Sequence, residues 1–401
     1  MARRILLADA DAFYVSVARL VDPEGAGSNP LLIVGGSPER RGVVTSASYE
    51  ARRCGVHSAM PMARAVRLCP QALVVPVPWE ACAAKCREIR VVLERYAPLV
   101  ETASSDEYYL DLTGTERLYK DEPLQATAQR IRAAVLAETR LSVSIGGGAS
   151  KLVAKLAATI AKPGGVHVVE PGAESAFMRR FALADLPLVG PRFQQRLARY
   201  NLRSVDDALA AGRDHLTAWF GEREGAWLWD RVHGADQGRV EPGGDPKSIS
   251  RDETFSVDID DDTALGAELL ALVDRAAGDL REEGLRARTV TVRVRDFDFR
   301  DRQASRTLDA PVESDRAVLR VAKELLARLR LARRVPARLL GVAVSNLVRD
   351  DVPPQLSLLA ALEPAAESPR DRAVSRALDD VRSKLGEDAL ALGRRPGRRR
   401  R

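Results

Sequence analysis

Asp9 closes the apolar run Ile5-Leu6-Leu7-Ala8, and a second acidic pair, Asp106-Glu107, follows about a hundred residues later. The apolar run reads as a buried strand, and a carboxylate ending such a strand is costly unless something cationic meets it. If the two segments were neighbours in one sheet, three carboxylates would share a small volume and hold one another's pKa values up. Divalent cations remove that repulsion, and hard oxygen ligands on adjacent strands suit Mg²⁺. Two such ions roughly 4 Å apart are a common device for in-line phosphoryl transfer.

The elements needed to bring them together can be read along the chain. Residues 4–9 form a strand, followed by a loop-rich section with Pro23, Pro30 and the Gly35-Gly36 turn. Residues 43–52 begin apolar and pass into a helix start. Residues 79–96 have helical periodicity, with Ala83, Cys86, Ile89 and Leu93 on one stripe. Strand-like runs at 99–103 and 108–112 flank Ser104-Ser105-Asp106-Glu107 as a hairpin. A helix over 122–138 and a strand over 141–147 complete a β-α-β-β-α-β order, the ferredoxin-like one, with about sixty residues inserted after the first strand. In that sheet the first strand neighbours the hairpin, so Asp9 meets Asp106 and Glu107.

From 170 to 235 the chain reads as small and helical, with a helix over 192–200 and a second unit containing Trp219, Trp227 and Trp229. Residues 241–246 have linker composition. A second β-α-β-β-α-β order follows: strand 248–256, helix 262–283, hairpin 288–297 with 303–308, helix 314–332 and strand 337–347. In the hairpin, Val290, Val292 and Val294 alternate with Thr289, Thr291, Arg293 and Arg295, and Arg286, Arg288, Arg300, Arg302 and Arg306 lie close by. The reading is one apolar face against helices and one strongly cationic face, either solvated or a platform for a nucleic-acid backbone. Beyond 349 the composition turns Pro-, Ala- and charge-rich, with one more amphipathic helix expected over 371–385 and an arginine-rich end from Arg394.

Length (401 residues) points to several domains. An apolar fraction of 45% and a charged fraction of 29% are those of a globular protein, and no stretch is long and apolar enough to span a bilayer. A cytosolic protein without membrane association is expected. The net charge of +6 favours a polyanionic partner, although arginine-rich coding bias gives the same balance; only eight of the 62 basic residues are lysine. Cys54, Cys69, Cys82 and Cys86 lack zinc-ligand spacing and read as reduced thiols. His57, His167, His215 and His233 form no constellation.

Four motifs stand in order: Asp9-Ala-Asp-Ala-Phe-Tyr14, Tyr49-Glu-Ala-Arg52, Ser105-Asp-Glu-Tyr-Tyr-Leu-Asp111 and Lys162-Pro-Gly-Gly165. Together they resemble the Y-family DNA polymerases, DinB (DNA polymerase IV) branch, over residues 3 to 348. The resemblance implies an α+β right-hand fold. Residues 1–15 and 74–166 would be a ferredoxin-like palm, 16–73 small fingers, and 167–236 a helix-hairpin-helix-like thumb. A linker at 237–246 would lead to a second ferredoxin-like unit, the little finger, at 247–348, with a flexible tail over 349–401.

Asp9, Asp106 and Glu107 would be the catalytic residues and, with the Ala10 carbonyl, would hold two Mg²⁺ ions. Phe13, Tyr14, Ser46, Tyr49, Arg52 and Lys162 would bind the nucleotide, with Tyr14 the steric gate against a ribose 2′-hydroxyl. Lys247, Arg251, Arg293 and Arg295 would contact DNA. Gln355-Leu356-Ser357-Leu358-Leu359 resembles a sliding-clamp-binding pentapeptide. Asp11 and Asp111 read as structural.

Two departures stand out: Ser105 where a branched aliphatic residue is usual, and Leu188 where glycine is common. The activity implied is low-fidelity translesion synthesis from dNTPs without proofreading, by a nucleoid-associated monomer. A noncatalytic clamp-tethered adaptor and a nucleotidyl cyclase are the competing readings. The intact carboxylates weigh against the first, and the thumb-like and second basic units against the other.

Overall fold

Every residue of the first strand, β1 (Ile5–Ala10), is buried, as an uninterrupted apolar run requires. In this computed structural model, which describes residues 3–244, 246–349, 367–386 and 389–390, the chain forms two compact units. The first spans most of residues 3–244 and the second most of the remainder.

In the first unit β1 leads into α1 (Phe13–Val21) and then the inserted section. That section comprises β2 (Leu32–Gly35), β3 (Val44–Ala47), α2 (Tyr49–Arg53), α3 (Met62–Leu68) and β4 (Leu73–Val75). Its three strands, ordered β3-β2-β4, have their own small core of Ile33, Val44 and Met62. The chain continues through α4 (Trp79–Glu94), β5 (Leu99–Thr102), β6 (Glu107–Asp111), α5 (Leu124–Thr139), β7 (Val143–Gly148), α6 (Lys151–Ala161) and β8 (Val166–Val168).

The main sheet is ordered β5-β6-β1-β7-β8, with β1 antiparallel to both β6 and β7. The expected adjacency of first strand and hairpin is present; β8, parallel to β7, adds a fifth strand that the reading did not include. One sheet face, with Leu6, Ala8, Tyr108, Leu110 and Ile145, packs on Ile89 and Leu93 of α4 and Ile131 and Val135 of α5. The other, with Ile5, Leu7 and Tyr109, packs on Ala154 and Ala158 of α6. Here Gly146 is required: a Cβ on it would stand 2.0 Å from the Ala158 nitrogen and 2.1 Å from the Ala154 oxygen. The backbone of α6 therefore rests directly on β7.

The opposite side of α6 supplies Leu152, Val153 and Leu156 to a core shared with α7 (Glu174–Met178), α8 (Pro191–Ala198), α9 (Val205–Phe220) and α10 (Glu222–Val232). Trp219, Trp227 and Trp229 pack against that core.

The second unit runs β9 (Ser248–Ile259), α11 (Asp262–Glu282), β10 (Leu285–Asp296), β11 (Asp301–Val312), α12 (Asp315–Ala332), β12 (Ala337–Arg349) and α13 (Pro369–Leu385). Its element order is the expected one, but its strands lie β11-β10-β12-β9, which puts β9 at an edge where the first unit holds β1 in the interior. Val290, Val292 and Val294 pack against Leu269 and Leu272 of α11 and Val318 and Val321 of α12.

Two expectations about this unit need correction. Register pairs Arg302 with Val294 and Arg306 with Val290, so both arginines face the helices. Arg302 binds buried Asp296, and Arg306 pairs with Glu324. The open face carries Thr289, Thr291, Ser305 and Thr307, joined by hydroxyl contacts of 2.9 Å, and its Arg293 and Arg295 both bond Asp301. It is rich in hydroxyls rather than strongly cationic.

The tail, expected to be flexible apart from a helix over 371–385, contains that helix as α13, docked on the unit by charge. Arg281 reaches Asp379, Arg382 grips Asp274 through two 2.9 Å bonds, and Arg376 bonds Glu313 at 2.8 Å. Ser375 is the one buried side chain of the helix, so ion pairs rather than an apolar face hold it.

Candidate active site

Pairing of β1 with β6 sets Asp9 directly opposite Glu107, and directly opposed residues of an antiparallel pair share a face. One step on, the Ala10 amide donates to the Asp106 carbonyl at 2.8 Å, so the two acidic strands stay joined at the carboxylates. Asp9 is buried. Its carboxyl is pushed up to about 6, chiefly by burial; Lys162 opposes the rise, while Glu107 and Asp106 add to it. The Ser104 hydroxyl donates to Asp106 at 2.6 Å and accepts the Glu107 amide at 3.1 Å, shaping the turn before β6.

The countercharge comes from α6. Lys162 follows its last turn and reaches Asp9 at 2.7 Å; Lys155 bonds both oxygens of Glu107 at 2.6 and 2.8 Å; Lys151 bonds both oxygens of Glu101, on β5, at 2.6 and 2.7 Å. Lys155 and Lys151 were missed in the sequence. Their signal was a spacing of four along one helix in a chain that otherwise uses arginine.

Asp11, read as structural, organises the triphosphate candidates. Its buried carboxylate accepts from Ser142 and Ser144 hydroxyls at 2.7 Å each, from the Gly164 amide at 2.9 Å and from the Tyr49 hydroxyl at 3.4 Å. Asp11 thus holds the Lys162-Pro-Gly-Gly turn, whose Lys162–Pro163 bond is cis, against β7, and joins α2 to the sheet. Burial first, then Asp11, pushes the Tyr49 hydroxyl up to about 12, so it stays a donor. Arg52 is exposed, bonds the Ala47 carbonyl and lies 5.1 Å from the centre of the Tyr49 ring. Ser46 is buried within β3.

Do these groups suit a metal? The donor set is three hard carboxylates, two on adjoining strands and Asp106 in the turn before β6, and lysine nitrogens stand beside Asp9 and Glu107. The residue types and raised Asp9 pKa fit a divalent cation. Among the described residues, however, no group of three or more acidic, histidine or cysteine side chains is gathered closely enough to hold an ion as it stands.

The impB/mucB/samB family model matches residues 8–159, and the model of that family's C-terminal domain matches residues 246–358. Over 392 residues the chain is 34% identical to a DNA polymerase IV of Dehalococcoides mccartyi strain CBDB1, covering 98% of this chain and 97% of that protein. A DNA polymerase IV of Caulobacter vibrioides is 35% identical, covering 96% and 92%. The fold matches a Y-family DNA polymerase chimera of Dbh and Dpo4 with a TM-score of 0.76 at 23% identity, covering 86% of this chain and all of that one. An insertion ternary complex of Dbh DNA polymerase matches at 0.61 and 23%, with the same coverage of each chain.

The chain belongs to the Y-family DNA polymerases, in the DinB-type branch. It is a DNA-directed DNA polymerase of the translesion class.

In this polymerase Tyr14 stands half-buried at the start of α1, edge-on to Phe13 at 5.3 Å and to Trp79 at 6.1 Å. Phe13, also expected at the nucleotide, is buried in the core beside Tyr14. Of the DNA-contact candidates, Lys247 is exposed and Arg293 and Arg295 lie on the open face. Arg251 pairs across the sheet with Val342, on the helix side, and bonds Asp279 of α11. The pentapeptide Gln355–Leu359 and the terminal arginines lie outside the described residues. Among the described residues no helix is long and apolar enough to cross a membrane.

Proposed function

We propose that Asp9, Asp106 and Glu107, with the Ala10 carbonyl, hold two Mg²⁺ ions for nucleotidyl transfer from a dNTP to a primer 3′-hydroxyl, with pyrophosphate release and no proofreading step. When bound, such ions lower the pKa of the attacking hydroxyl and stabilise the charge on the leaving group. The chain's own part is to position and compensate. Asp11 fixes the turn that carries Lys162, and Lys162 exchanges Asp9 for the triphosphate. Tyr49 and Arg52 meet the same phosphates from the fingers, and the Tyr14 ring fills the space a 2′-hydroxyl would need.

The observation that carries the reading is the direct pairing of Asp9 with Glu107, cations beside both. Primer extension on a defined template tests it, with Mg²⁺ or with chelator, in parent enzyme and Asp9→Asn. The expectation is extension only by the parent and only with metal; equal extension in chelator would overturn the site. The noncatalytic adaptor reading predicts DNA binding without extension in all four reactions.

Primer–template DNA would run along the hydroxyl-rich face of the second unit, with Lys247, Arg293 and Arg295 at its phosphates. The Gln355–Leu359 pentapeptide would bring a nucleoid-associated monomer to a sliding clamp. Full clamp stimulation of a chain lacking those five residues would dismiss that part.

A further inference from the structure

The hydroxyl of Tyr14 lies 3.0 Å from the hydroxyl of Ser105, ninety-one residues away. Ser105 is itself held from behind. Its carbonyl accepts the Cys86 thiol of α4 at 3.0 Å and the Tyr108 hydroxyl of β6 at 3.1 Å. The anchor is therefore fixed to a helix and a strand of the palm, and the two residues after it are Asp106 and Glu107. The Tyr14 ring also meets Phe13 and Trp79 edge-on and packs against apolar side chains of two clusters, and Trp79 is 66% exposed. Apolar and edge contacts are non-directional and leave the ring some freedom to tilt; a hydrogen bond at the far tip fixes where the hydroxyl end lies. A branched aliphatic side chain at position 105 would offer the phenol no partner.

We propose that Ser105 is a specificity-determining positioning residue: it tethers the Tyr14 hydroxyl and so sets how strictly this polymerase rejects ribonucleotides. The inference rests on the gate role proposed for Tyr14. Ser105 touches no reacting atom; it acts through Tyr14. Consecutive serines thereby divide the turn, Ser104 shaping Asp106 for chemistry and Ser105 holding the ring that selects the sugar.

The test is single-nucleotide insertion opposite an undamaged template base, measuring kcat/KM for a dNTP and for the matching rNTP. The proteins are parent, Ser105→Ala, Tyr14→Phe, the double variant Tyr14→Phe/Ser105→Ala, and Tyr14→Ala. Tyr14→Phe deletes one oxygen and keeps the ring, so it still reports if Ser105→Ala folds poorly. A net hydrogen bond of ordinary strength corresponds to a loss of sugar discrimination of about three- to tenfold in either single variant. The double variant should lose no more than one single variant does, because one bond is broken in all three. Unchanged discrimination in Tyr14→Phe, or losses that multiply in the double variant, would overturn the tether. If Tyr14→Ala too leaves discrimination unchanged, the gate role itself fails and takes the tether with it; if Tyr14→Ala relaxes it and Tyr14→Phe does not, only the tether fails.

Discussion

The two principal sheets treat acidic residues in opposite ways. On the first, Asp9, Glu107 and Glu101 are each met by a lysine from α6 or the turn after it. On the second, Asp296, Asp301 and, where α13 docks, Asp274 and Asp379 are met by arginines, several through paired bonds. Lysine is a point charge on a flexible stem, and arginine a planar fork matched to a carboxylate. Of the eight lysines in the chain, two lie on α6 and a third follows its last turn, all three facing these carboxylates. The difference teaches which pairs are provisional: a lysine can leave when a stronger cation or a triphosphate arrives, whereas a forked arginine pair is structural.

The largest break in that comparison comes from removing an acid from each sheet. If Asp106 is the proposed metal ligand, Asp106→Ala should lower nucleotide addition by at least about a thousandfold, since several kcal/mol of transition-state stabilisation go with such a ligand, while duplex affinity stays within a few-fold. Asp296→Ala should leave Arg302 and Arg333 without their buried partner and act on stability instead. Extension rates and denaturant midpoints measured on both variants separate the roles; a polymerase-competent Asp106→Ala ends the assignment.

Lys155→Arg sharpens the contrast by making the active-site pair resemble those of the second sheet. A fork on Glu107 should raise the Mg²⁺ concentration for half-maximal extension by about three- to tenfold, and Lys155→Met should not raise it. Identical Mg²⁺ titrations for Lys155→Arg and the parent would show that the pair has no bearing on metal entry.

Acid response gives a smaller signal of opposite sign in the two units. The Asp9 carboxyl is pushed up to about 6, so between pH about 4 and 6 the folded state binds the extra proton. In chelator, stability of the first unit should therefore fall as pH rises through that window, by roughly 2 kcal/mol, and Asp9→Asn should remove the slope. The Arg295 hydrogen bond pulls Asp301 down to about 2. Its contribution is present above pH about 4 and lost as pH falls toward 2, and Asp301→Asn should flatten that limb. All four tryptophans, Trp79, Trp219, Trp227 and Trp229, lie in the first unit, so their fluorescence reports its unfolding and circular dichroism reports both. Parallel slopes in the two variants would refute the contrast.

How much of this was legible beforehand follows the same divide. Adjacency of Asp9 to Glu107 was readable because an apolar strand, a hairpin and a fixed element order leave few places for the carboxylates. The α6 lysines were not, because their partners sit fifty residues away on other strands. The cationic face was misread for a reason of parity: the hairpin loop fixes which residues of β11 oppose Val290 and Val294, and one step moves each arginine to the other side. The helix α13 was legible, but its docking was not, because charge partners distant in sequence hold it. At Leu188 the glycine-like position was recognised, and the backbone there is left-handed, φ +72°, with the side chain exposed.

The finest test asks whether locked arginines can be unlocked. Arg293 and Arg295 lie on the open face of the second sheet, but Asp301 accepts from both at 2.8 to 2.9 Å, so the face shows a duplex little free positive charge. Asp301→Asn keeps the side-chain volume and removes the negative charge. If that face tracks a phosphate backbone, the variant should bind duplex more tightly at low salt, and its log affinity should fall more steeply with log salt by about one unit for each new phosphate contact. That slope corresponds to about threefold in affinity per contact between 50 and 200 mM salt. Fluorescence anisotropy across a salt series measures it, with Arg306→Ala, on the helix side of the same strand, as the control that should leave the slope unchanged. A shallower slope from Arg306→Ala, or no change from Asp301→Asn, would move the DNA track off this face.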